Sequence, residues 1–286
     1  MATWPIVSLN RSSNSVRVAA IQMNSGPDVA ANLELAGSLL AEAAGDGCVL
    51  AGLPENFARM PERGKDKARH AEEPGEGPIQ AFLSRQAAQH GLWIVSGSLP
   101  LVSPAIDAER VYGACPVFDA QGRRQALYRK IHLFDVDLVD KQESYRESNS
   151  MYPGDDVITV DTPIGRVGLT ICYDLRFPEM FRQLVDAGAT VFTVPAAFTA
   201  TTGEAHWHTL LRARAIENLA YVIAPGQYGL HPDDRATFGH SLICDPWGRI
   251  LAEEAEGNGV VAADIDPELP ARLRSEFPAL ANRRLD

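Results

Sequence analysis

The sequence predicts an α/β protein in which helices cover mixed β-sheets. Segments with apolar residues at helical spacing alternate with short apolar runs rich in β-branched residues through most of the chain. This alternation is interrupted by a hairpin pattern, because the turn Asp119-Ala120-Gln121-Gly122 separates two strand-like runs. Parallel pairs from the alternating part and antiparallel pairs from hairpins together indicate sheets of mixed type.

The elements follow from these patterns in chain order. In the first half, strands are predicted at 16–23, 48–53, 93–99, 111–118 and 123–128. Helices are predicted around residues 33–43 and 79–87, and the first of them ends at Gly45 and Gly47. In the second half, strands are predicted at 167–172, 190–195, 221–226, 241–244, 250–252 and 259–264. Helices are predicted after Pro178 and at about 204–218.

Length and charge limit the organisation of the chain and its classes of partner. We expect residues 1–15 to form a flexible extension and residues 16–286 to form one domain, with a core at about 16–266 and a C-terminal tail. The formal net charge of −11 and pI near 5.1 argue against a nucleic-acid surface. No apolar run approaches the roughly 20 residues of a membrane span, and no secretory signal is visible, so we expect a cytoplasmic protein.

The cysteines and histidines do not predict a metal site or a disulfide framework. Cys48, Cys115 and Cys244 stand in apolar runs typical of small core residues, and a reducing compartment suits them. His206 and His208 are two residues apart on a predicted helix, so their side chains point to different faces. The sequence shows no third ligand beside them, and no metal is therefore expected.

Cys172 ends an apolar, strand-like run and begins a turn that leads into a helix. A strand, a sharp turn and a helix hold a nucleophile rigidly, and backbone N–H groups at the helix start can stabilise an oxyanion. A cysteine in such a place is also often an inert core residue. This segment alone leaves both interpretations open.

Two further segments place charged side chains at the ends of predicted strands. One strand stops at Pro54, which cannot donate to a central ladder, so Glu55 follows its carboxyl end, where ligand chemistry collects in α/β layers. The alternative is an exposed loop carboxylate. Lys130 stands directly before an apolar run, and a buried lysine there requires a carboxylate partner. The alternative is a surface lysine with its head in water.

Three ordered motifs around these residues resemble the carbon–nitrogen hydrolase (nitrilase) superfamily, most of all its Nit branch of amidases. They are Leu53-Pro54-Glu55, Tyr128-Arg129-Lys130-Ile131-His132-Leu133 and Cys172-Tyr173-Asp174-Leu175-Arg176-Phe177-Pro178-Glu179. Further matches include Pro195-Ala196-Ala197-Phe198, Gly239-His240-Ser241 and Asp245-Pro246-Trp247-Gly248. The resemblance covers about residues 16–266. It implies a four-layer α-β-β-α sandwich of the nitrilase type, which periodicity alone does not show.

The resemblance also implies a catalytic triad of Glu55, Lys130 and Cys172. Cys172 would attack the amide carbon, and Glu55 would carry the thiol proton to the leaving amine and later activate water. Lys130 would stabilise the oxyanion together with the backbone N–H of Tyr173.

A second glutamate near the lysine is typical of the family. Glu147 is the expected residue because of its spacing from the Pro153-Gly154 turn, while Glu143 is the other glutamate followed by serine. Glu147 either takes part in proton transfer or only orients Lys130.

Arg176 lies four residues beyond the nucleophile and is the candidate for substrate recognition. A guanidinium group binds a carboxylate bidentately, so one expectation is a substrate carboxylate. An internal salt bridge to Asp174 or Glu179 is the alternative.

The sequence therefore predicts a cofactor-free amidase that cleaves a carbon–nitrogen bond of a small carboxylate-bearing compound through a cysteine thioester and releases ammonia. A deaminated glutathione-like peptide is the leading substrate, and dicarboxylic acid monoamides, N-carbamoyl amino acids or nitriles are the alternatives. A non-catalytic binding protein that kept the scaffold is the alternative outside enzymes. The resemblance also implies a homodimer or larger homo-oligomer. The acidic charge and the lack of a long apolar run argue against nucleic-acid and membrane partners.

Overall fold

The structure is a computed structural model that describes residues 14–60, 67–102, 110–138, 143–231 and 234–285; residues 1–13 of the expected extension lie outside this set. Its α-helices are α1 (Val29–Gly45), α2 (Pro78–His90), α3 (Pro178–Asp186), α4 (Ala200–Asn218) and α5 (Leu269–Glu276). Its strands are β1 (Val16–Gln22), β2 (Cys48–Gly52), β3 (Trp93–Val95), β4 (Leu99–Leu101), β5 (Val111–Phe118), β6 (Arg124–Arg129), β7 (Asp135–Leu138), β8 (Glu143–Arg146), β9 (Met151–Tyr152), β10 (Thr159–Thr162), β11 (Gly165–Leu169), β12 (Val191–Thr193), β13 (Tyr221–Ala224), β14 (Tyr228–Leu230), β15 (Ala236–Phe238), β16 (Ser241–Cys244), β17 (Ile250–Glu254) and β18 (Gly259–Ile265).

Two mixed sheets contain most of these strands. The first has eight strands in the order β18-β1-β2-β3-β5-β4, with β6 and β9 also paired to β5. The second has six strands in the order β10-β11-β12-β13-β16-β17. Three strands run parallel in each sheet, β1-β2-β3 and β11-β12-β13, and the strands on either side of each trio pair antiparallel with it. The carboxyl ends of each parallel trio therefore meet at one edge of its sheet.

The side chains of β1 show how the layers are stacked. Val18 and Ala20 belong to the core cluster that also contains Val167 of β11, in the second sheet. Ala19 and Ile21 alternate with them, point to the opposite face and pack in the cluster that contains the buried side of α1 and α2. The two sheets thus face each other, and α1 and α2 cover the first sheet from outside.

The outer face of the second sheet is covered by α3 and α4. Phe181 of α3 packs edge-to-face on Phe192 of β12 with ring centroids 5.0 Å apart, and Trp207 of α4 is buried in the same cluster. The order of layers is helix, sheet, sheet, helix, which confirms the four-layer prediction. None of the helices in the described ranges has the length and apolar character needed to cross a bilayer.

Some predicted boundaries differ from the structure for local reasons. The strand predicted at 93–99 is two strands, because the chain turns at Gly97, where φ is 72° and a Cβ would lie 2.0 Å from the Pro54 carbonyl oxygen. The strand predicted at 167–172 ends at Leu169. The expected C-terminal tail contains α5, which buries Leu273 against the core.

Candidate active site

Cys172 is held in a strained turn between β11 and α3. It begins a 3₁₀-helix, Cys172–Arg176, and its φ of 48° lies in the left-handed region that is unfavourable for a residue with a Cβ. The Cys172 N–H donates to the Pro195 carbonyl (2.8 Å), and the carboxylate of Asp174 accepts from the Ile171 N–H (2.8 Å). The residue therefore has the rigid strand–turn–helix setting that the sequence predicted for a nucleophile.

Buried Asp174 connects this turn to the strand that leads to Lys130. Its carboxylate accepts a hydrogen bond from the Tyr128 hydroxyl (2.7 Å) at the end of β6. Burial, and then the charge of Asp174, raise the pKa of Tyr128 far above its ordinary value, so the phenol remains a donor. On the other side of the turn, Arg214 of α4 donates to the Leu175 carbonyl from Nη2 (2.8 Å).

Glu55 follows β2 and is buried, with 6% of its surface exposed. Its Oε1 accepts from Lys130 Nζ (2.9 Å), and its Oε2 accepts from the Ala197 N–H (2.9 Å). Its own backbone carbonyl accepts from Gln227 Nε2 (3.1 Å). Glu55 is therefore a fixed interior carboxylate, and the exposed-loop alternative does not hold.

Lys130 lies between two carboxylates and is only 2% exposed. Its Nζ donates to Glu55 Oε1 (2.9 Å) and to Glu147 Oε2 (2.8 Å). Glu147 Oε2 also accepts from the Phe134 N–H (2.9 Å), which fixes its orientation. The surface-lysine alternative is therefore excluded, and the structure places the expected second glutamate, Glu147, against the lysine.

The pairing sets the charges of these groups. Burial alone would lower the pKa of Lys130, but the carboxylates of Glu147 and Glu55 raise it well above its ordinary range. Burial likewise opposes ionisation of Glu147, yet Lys130 and then Lys67 lower the pKa of Glu147 to about 2. Lys130 is thus an ammonium and Glu147 a carboxylate throughout the neutral range.

The predicted site residues line one cavity of about 760 Å³; they are Glu55, Lys130, Glu147, Cys172, Tyr173 and Arg176. Burial, and next the charge of Glu55, raise the pKa of the Cys172 thiol well above its ordinary range, against the opposing charge of Lys130. The resting sulfur is therefore a thiol, which needs a base for activation. The Tyr173 N–H is in the first turn of the 3₁₀-helix, where backbone N–H groups lack intrahelical acceptors.

Arg176 reaches the same cavity, and no carboxylate of the described residues forms a salt bridge with it. Its Nη1 lies 3.2 Å from His206 Nδ1, and its guanidinium group lies over the ring of Phe198, 5.0 Å from the centroid. Burial lowers the pKa of Arg176. Among the described residues it makes no salt bridge, so neither Asp174 nor Glu179 pairs with it.

Lys67 is a cavity residue that the sequence did not single out. Its Nζ lies 3.5 Å from Glu147 Oε1, and its side chain is 14% exposed. Burial lowers the pKa of Lys67, and Glu147 partly opposes that effect. Its neighbours in the sequence are polar and typical of a surface loop, so only its position shortly after the Glu55 motif could have drawn attention to it.

The three cysteines outside the site are core residues, as predicted. Cys48, Cys115 and Cys244 are buried and carry free thiols. Burial raises the pKa of Cys48 to about 11 and that of Cys115 and Cys244 to about 12. These thiols are therefore protonated at neutral pH.

Comparison with known proteins identifies the family of this chain. Residues 17–275 match the family model described as carbon–nitrogen hydrolase. The chain is 38% identical to a deaminated glutathione amidase of Yersinia enterocolitica, over 94% of this chain and 93% of that protein. It is also 38% identical to the omega-amidase NIT2 of Homo sapiens, over 95% and 96% of the two chains.

A solved structure shares the fold over nearly the whole chain. The Saccharomyces cerevisiae Nit3 protein, a member of branch 10 of the nitrilase superfamily, superposes with a TM-score of 0.83 at 31% identity. The match covers 96% of this chain and 100% of that chain. The family model that matches residues 17–275, the similar relatives and the shared fold together show that the chain belongs to the carbon–nitrogen hydrolase family.

Proposed function

We propose that this protein is an amidase that hydrolyses the carbon–nitrogen bond of a small carboxylate-bearing amide through a thioester on Cys172. One observation carries the proposal. Lys130 Nζ lies 2.9 Å from Glu55 Oε1 and 2.8 Å from Glu147 Oε2, on the wall of the cavity that also contains the Cys172 thiol. A buried base, a fixed cation and an unionised thiol are the groups that acyl transfer to sulfur requires.

In the first half of the reaction, Glu55 accepts the Cys172 proton as the sulfur attacks the amide carbon. The carbonyl oxygen becomes an oxyanion, which Lys130 Nζ and the Tyr173 N–H stabilise. The protonated Glu55 then donates its proton to the amide nitrogen, the carbon–nitrogen bond breaks, and ammonia or an amine leaves. The acyl group remains on Cys172 as a thioester.

In the second half, Glu55 takes a proton from a water molecule that attacks the thioester carbon. A second oxyanion forms in the same place and collapses, so that the carbon–sulfur bond breaks and a carboxylic acid is released. The proton returns from Glu55 to the sulfur, which restores the thiol. Glu147 stays ionised because its pKa is about 2, so its proposed role is to orient Lys130 and hold it charged.

The substrate class follows from the charges that surround the cavity. Four basic residues line it in addition to Lys130; they are Lys67, Arg146, Arg176 and Arg235. Of these, Arg176 makes no salt bridge to a described residue and is suited to a substrate carboxylate. The names of the relatives support two such substrates, deaminated glutathione and the monoamides that an omega-amidase cleaves.

We further propose a homodimer or larger assembly in a reducing compartment such as the cytoplasm. Trp247 and Phe277 are exposed and stack edge-to-face, 6.0 Å between ring centroids, which supports a subunit interface. The free thiols support a reducing compartment. Light scattering after size exclusion measures the mass against 31.0 kDa for one chain; a monomer at micromolar concentration contradicts the assembly.

Replacement of the nucleophile tests the activity. We expect Cys172→Ala to abolish amine release from both classes of amide while the circular dichroism spectrum stays unchanged. Cys48→Ala is the matched control, because Cys48 is a buried thiol outside the cavity, and it should retain activity. Full activity in Cys172→Ala contradicts the proposal.

A further inference from the structure

A second cluster of reactive side chains lies outside the cavity, where α4 meets the hairpin β16–β17. His208 projects from α4, His240 directly precedes β16, and Glu253 lies in β17. His208 Nε2 lies 2.7 Å from Glu253 Oε1, and His240 Nδ1 lies 2.6 Å from the same oxygen. The three potential ligand atoms all lie within 4.8 Å of one another.

The sequence pattern did not reveal this cluster. It showed only His206 and His208, and that pair is indeed divided in the structure, since His206 Nδ1 contacts Arg176 Nη1 at the cavity (3.2 Å). The partners of His208 come from 32 and 45 residues further along the chain (240 − 208 and 253 − 208). Only the packing of α4 against the second sheet brings them together.

The positions of the two imidazoles are fixed by their surroundings. The ring of Phe238 stacks on the imidazole of His240, with ring centroids 4.2 Å apart and an angle of 23° between the ring planes. The same ring packs edge-to-face with the imidazole of His208, with centroids 5.8 Å apart. The His240 carbonyl accepts from Trp207 Nε1 (2.8 Å), next to His208 in the chain. His240 also has a φ of 52°, a strained value for a residue with a Cβ. This framework holds both nitrogens close to one carboxylate oxygen.

Two imidazoles and one carboxylate are a ligand set for zinc and related transition metals rather than for calcium or magnesium. Zinc–nitrogen and zinc–oxygen bonds of about 2.1 Å in a tetrahedral arrangement separate neighbouring ligand atoms by about 3.4 Å. The distances from His208 Nε2 and His240 Nδ1 to Glu253 Oε1 are 2.7 and 2.6 Å, so each has to increase by less than about 1 Å when a metal ion binds. The side chains are 28–33% exposed, so an ion can enter and water can complete its coordination.

We propose that His208, His240 and Glu253 bind one divalent transition metal ion of the zinc type and thereby cross-link α4 to the β16–β17 hairpin. The site is independent of the amide chemistry, because none of its three residues lines the catalytic cavity. Its effect is on the stability of the packing between α4 and the second sheet. A metal that binds only the folded protein raises its melting temperature.

Zinc titration of chelator-treated, full-length protein tests the site. The Cys172→Ala background removes the catalytic thiol as a competing ligand. In that background we expect one zinc ion per chain by isothermal titration calorimetry and a rise of several degrees in the melting temperature. His208→Ala and the more conservative Glu253→Gln should each lower the affinity about 10-fold or more and abolish the thermal shift. His90→Ala, at the end of α2, is the matched control and should bind as the background does.

Three outcomes overturn the inference. They are the absence of saturable zinc binding in the Cys172→Ala background, unchanged affinity in both cluster variants, and a loss of affinity in His90→Ala equal to theirs. Cobalt provides a second readout, since Co²⁺ bound to two imidazoles and a carboxylate absorbs visible light. That absorption should appear in the background protein and disappear in Glu253→Gln, even if the loss of the carboxylate changes stability by itself.

Discussion

Lys130→Met removes the charge that lies between two interior carboxylates while it keeps a side chain of similar length. In the wild-type protein, Lys130 is 2% exposed and donates to both Glu55 and Glu147. Loss of one partner from a buried ion pair costs about 3–5 kcal/mol of unfolding free energy. Loss of a donor to the oxyanion lowers kcat by about 10²–10³-fold. We therefore expect a folded but destabilised and nearly inactive variant.

The pH dependence distinguishes this explanation from a simple packing defect. In the wild-type protein the folded pKa of Glu147 is about 2, below its ordinary value of 4.5. Its contribution to stability is therefore present above pH 4.5 and is lost as the pH falls toward 2. In Lys130→Met, burial still opposes the ionisation of Glu147 and Lys67 is its remaining cationic neighbour among the described residues, so the folded variant binds a proton at Glu147 more readily than the folded wild-type protein does. The difference in unfolding free energy between the wild-type protein and the variant should therefore shrink as the pH falls from 7 to 5.

Urea unfolding of both proteins at pH 7, 6 and 5 measures this difference in unfolding free energy. Arg166→Met is the matched control, because it breaks the exposed ion pair with Asp161, whose side chains are 44% and 76% exposed. It should lower the unfolding free energy far less than Lys130→Met does, and by the same small amount at every pH. Two results refute the proposed electrostatics. In one, Lys130→Met lowers the unfolding free energy by less than about 1 kcal/mol; in the other, its loss of unfolding free energy grows as the pH falls to 5.

Three other substitutions examine separate parts of the site. Glu55→Gln should lower kcat by about 10²–10⁴-fold and slow alkylation of Cys172 by iodoacetamide, measured by mass spectrometry; unchanged alkylation argues against Glu55 as the base. Arg176→Met should raise KM about 10-fold or more for a carboxylate-bearing amide but not for its neutral analogue, and equal effects on both contradict carboxylate binding. Arg214→Met leaves the Leu175 carbonyl without its two guanidinium donors, so the unfolding free energy should fall by about 1–3 kcal/mol, and an unchanged melting temperature contradicts this role.

The sequence predicted the elements that are encoded locally. The boundaries of β5 and β16 are as predicted, and that of β1 differs by one residue. Each of these strands is a mainly apolar run that is followed by turn residues. The split of the strand at 93–99 depends on the approach of Gly97 to Pro54, which no local pattern reveals. The short hairpins β7–β8 and β14–β15 were missed, since their strands have only three or four residues each.

The residues of the candidate site also divide into those that a local pattern predicts and those that only contacts between distant parts of the chain bring together. Glu55, Lys130 and Cys172 were predicted because each lies at the end of a strand-like run within an ordered motif, and the layered fold brings these ends together. Lys67 and the partners of His208 could not be predicted. Lys67 and Glu253 have ordinary neighbours in the sequence, and His240 stood out only as part of a motif. The contacts of all three with residues distant in the chain arise from the fold.

A rapid-quench experiment tests the thioester directly. The wild-type protein is mixed with a saturating carboxylate-bearing amide, stopped in acid within the first turnover, digested and examined by mass spectrometry. We expect the peptide containing Cys172 to carry the mass of the acyl group and this adduct to disappear as the carboxylic acid forms. Amide hydrolysis without an acyl group on that peptide, or with the group on another cysteine, contradicts the thioester mechanism.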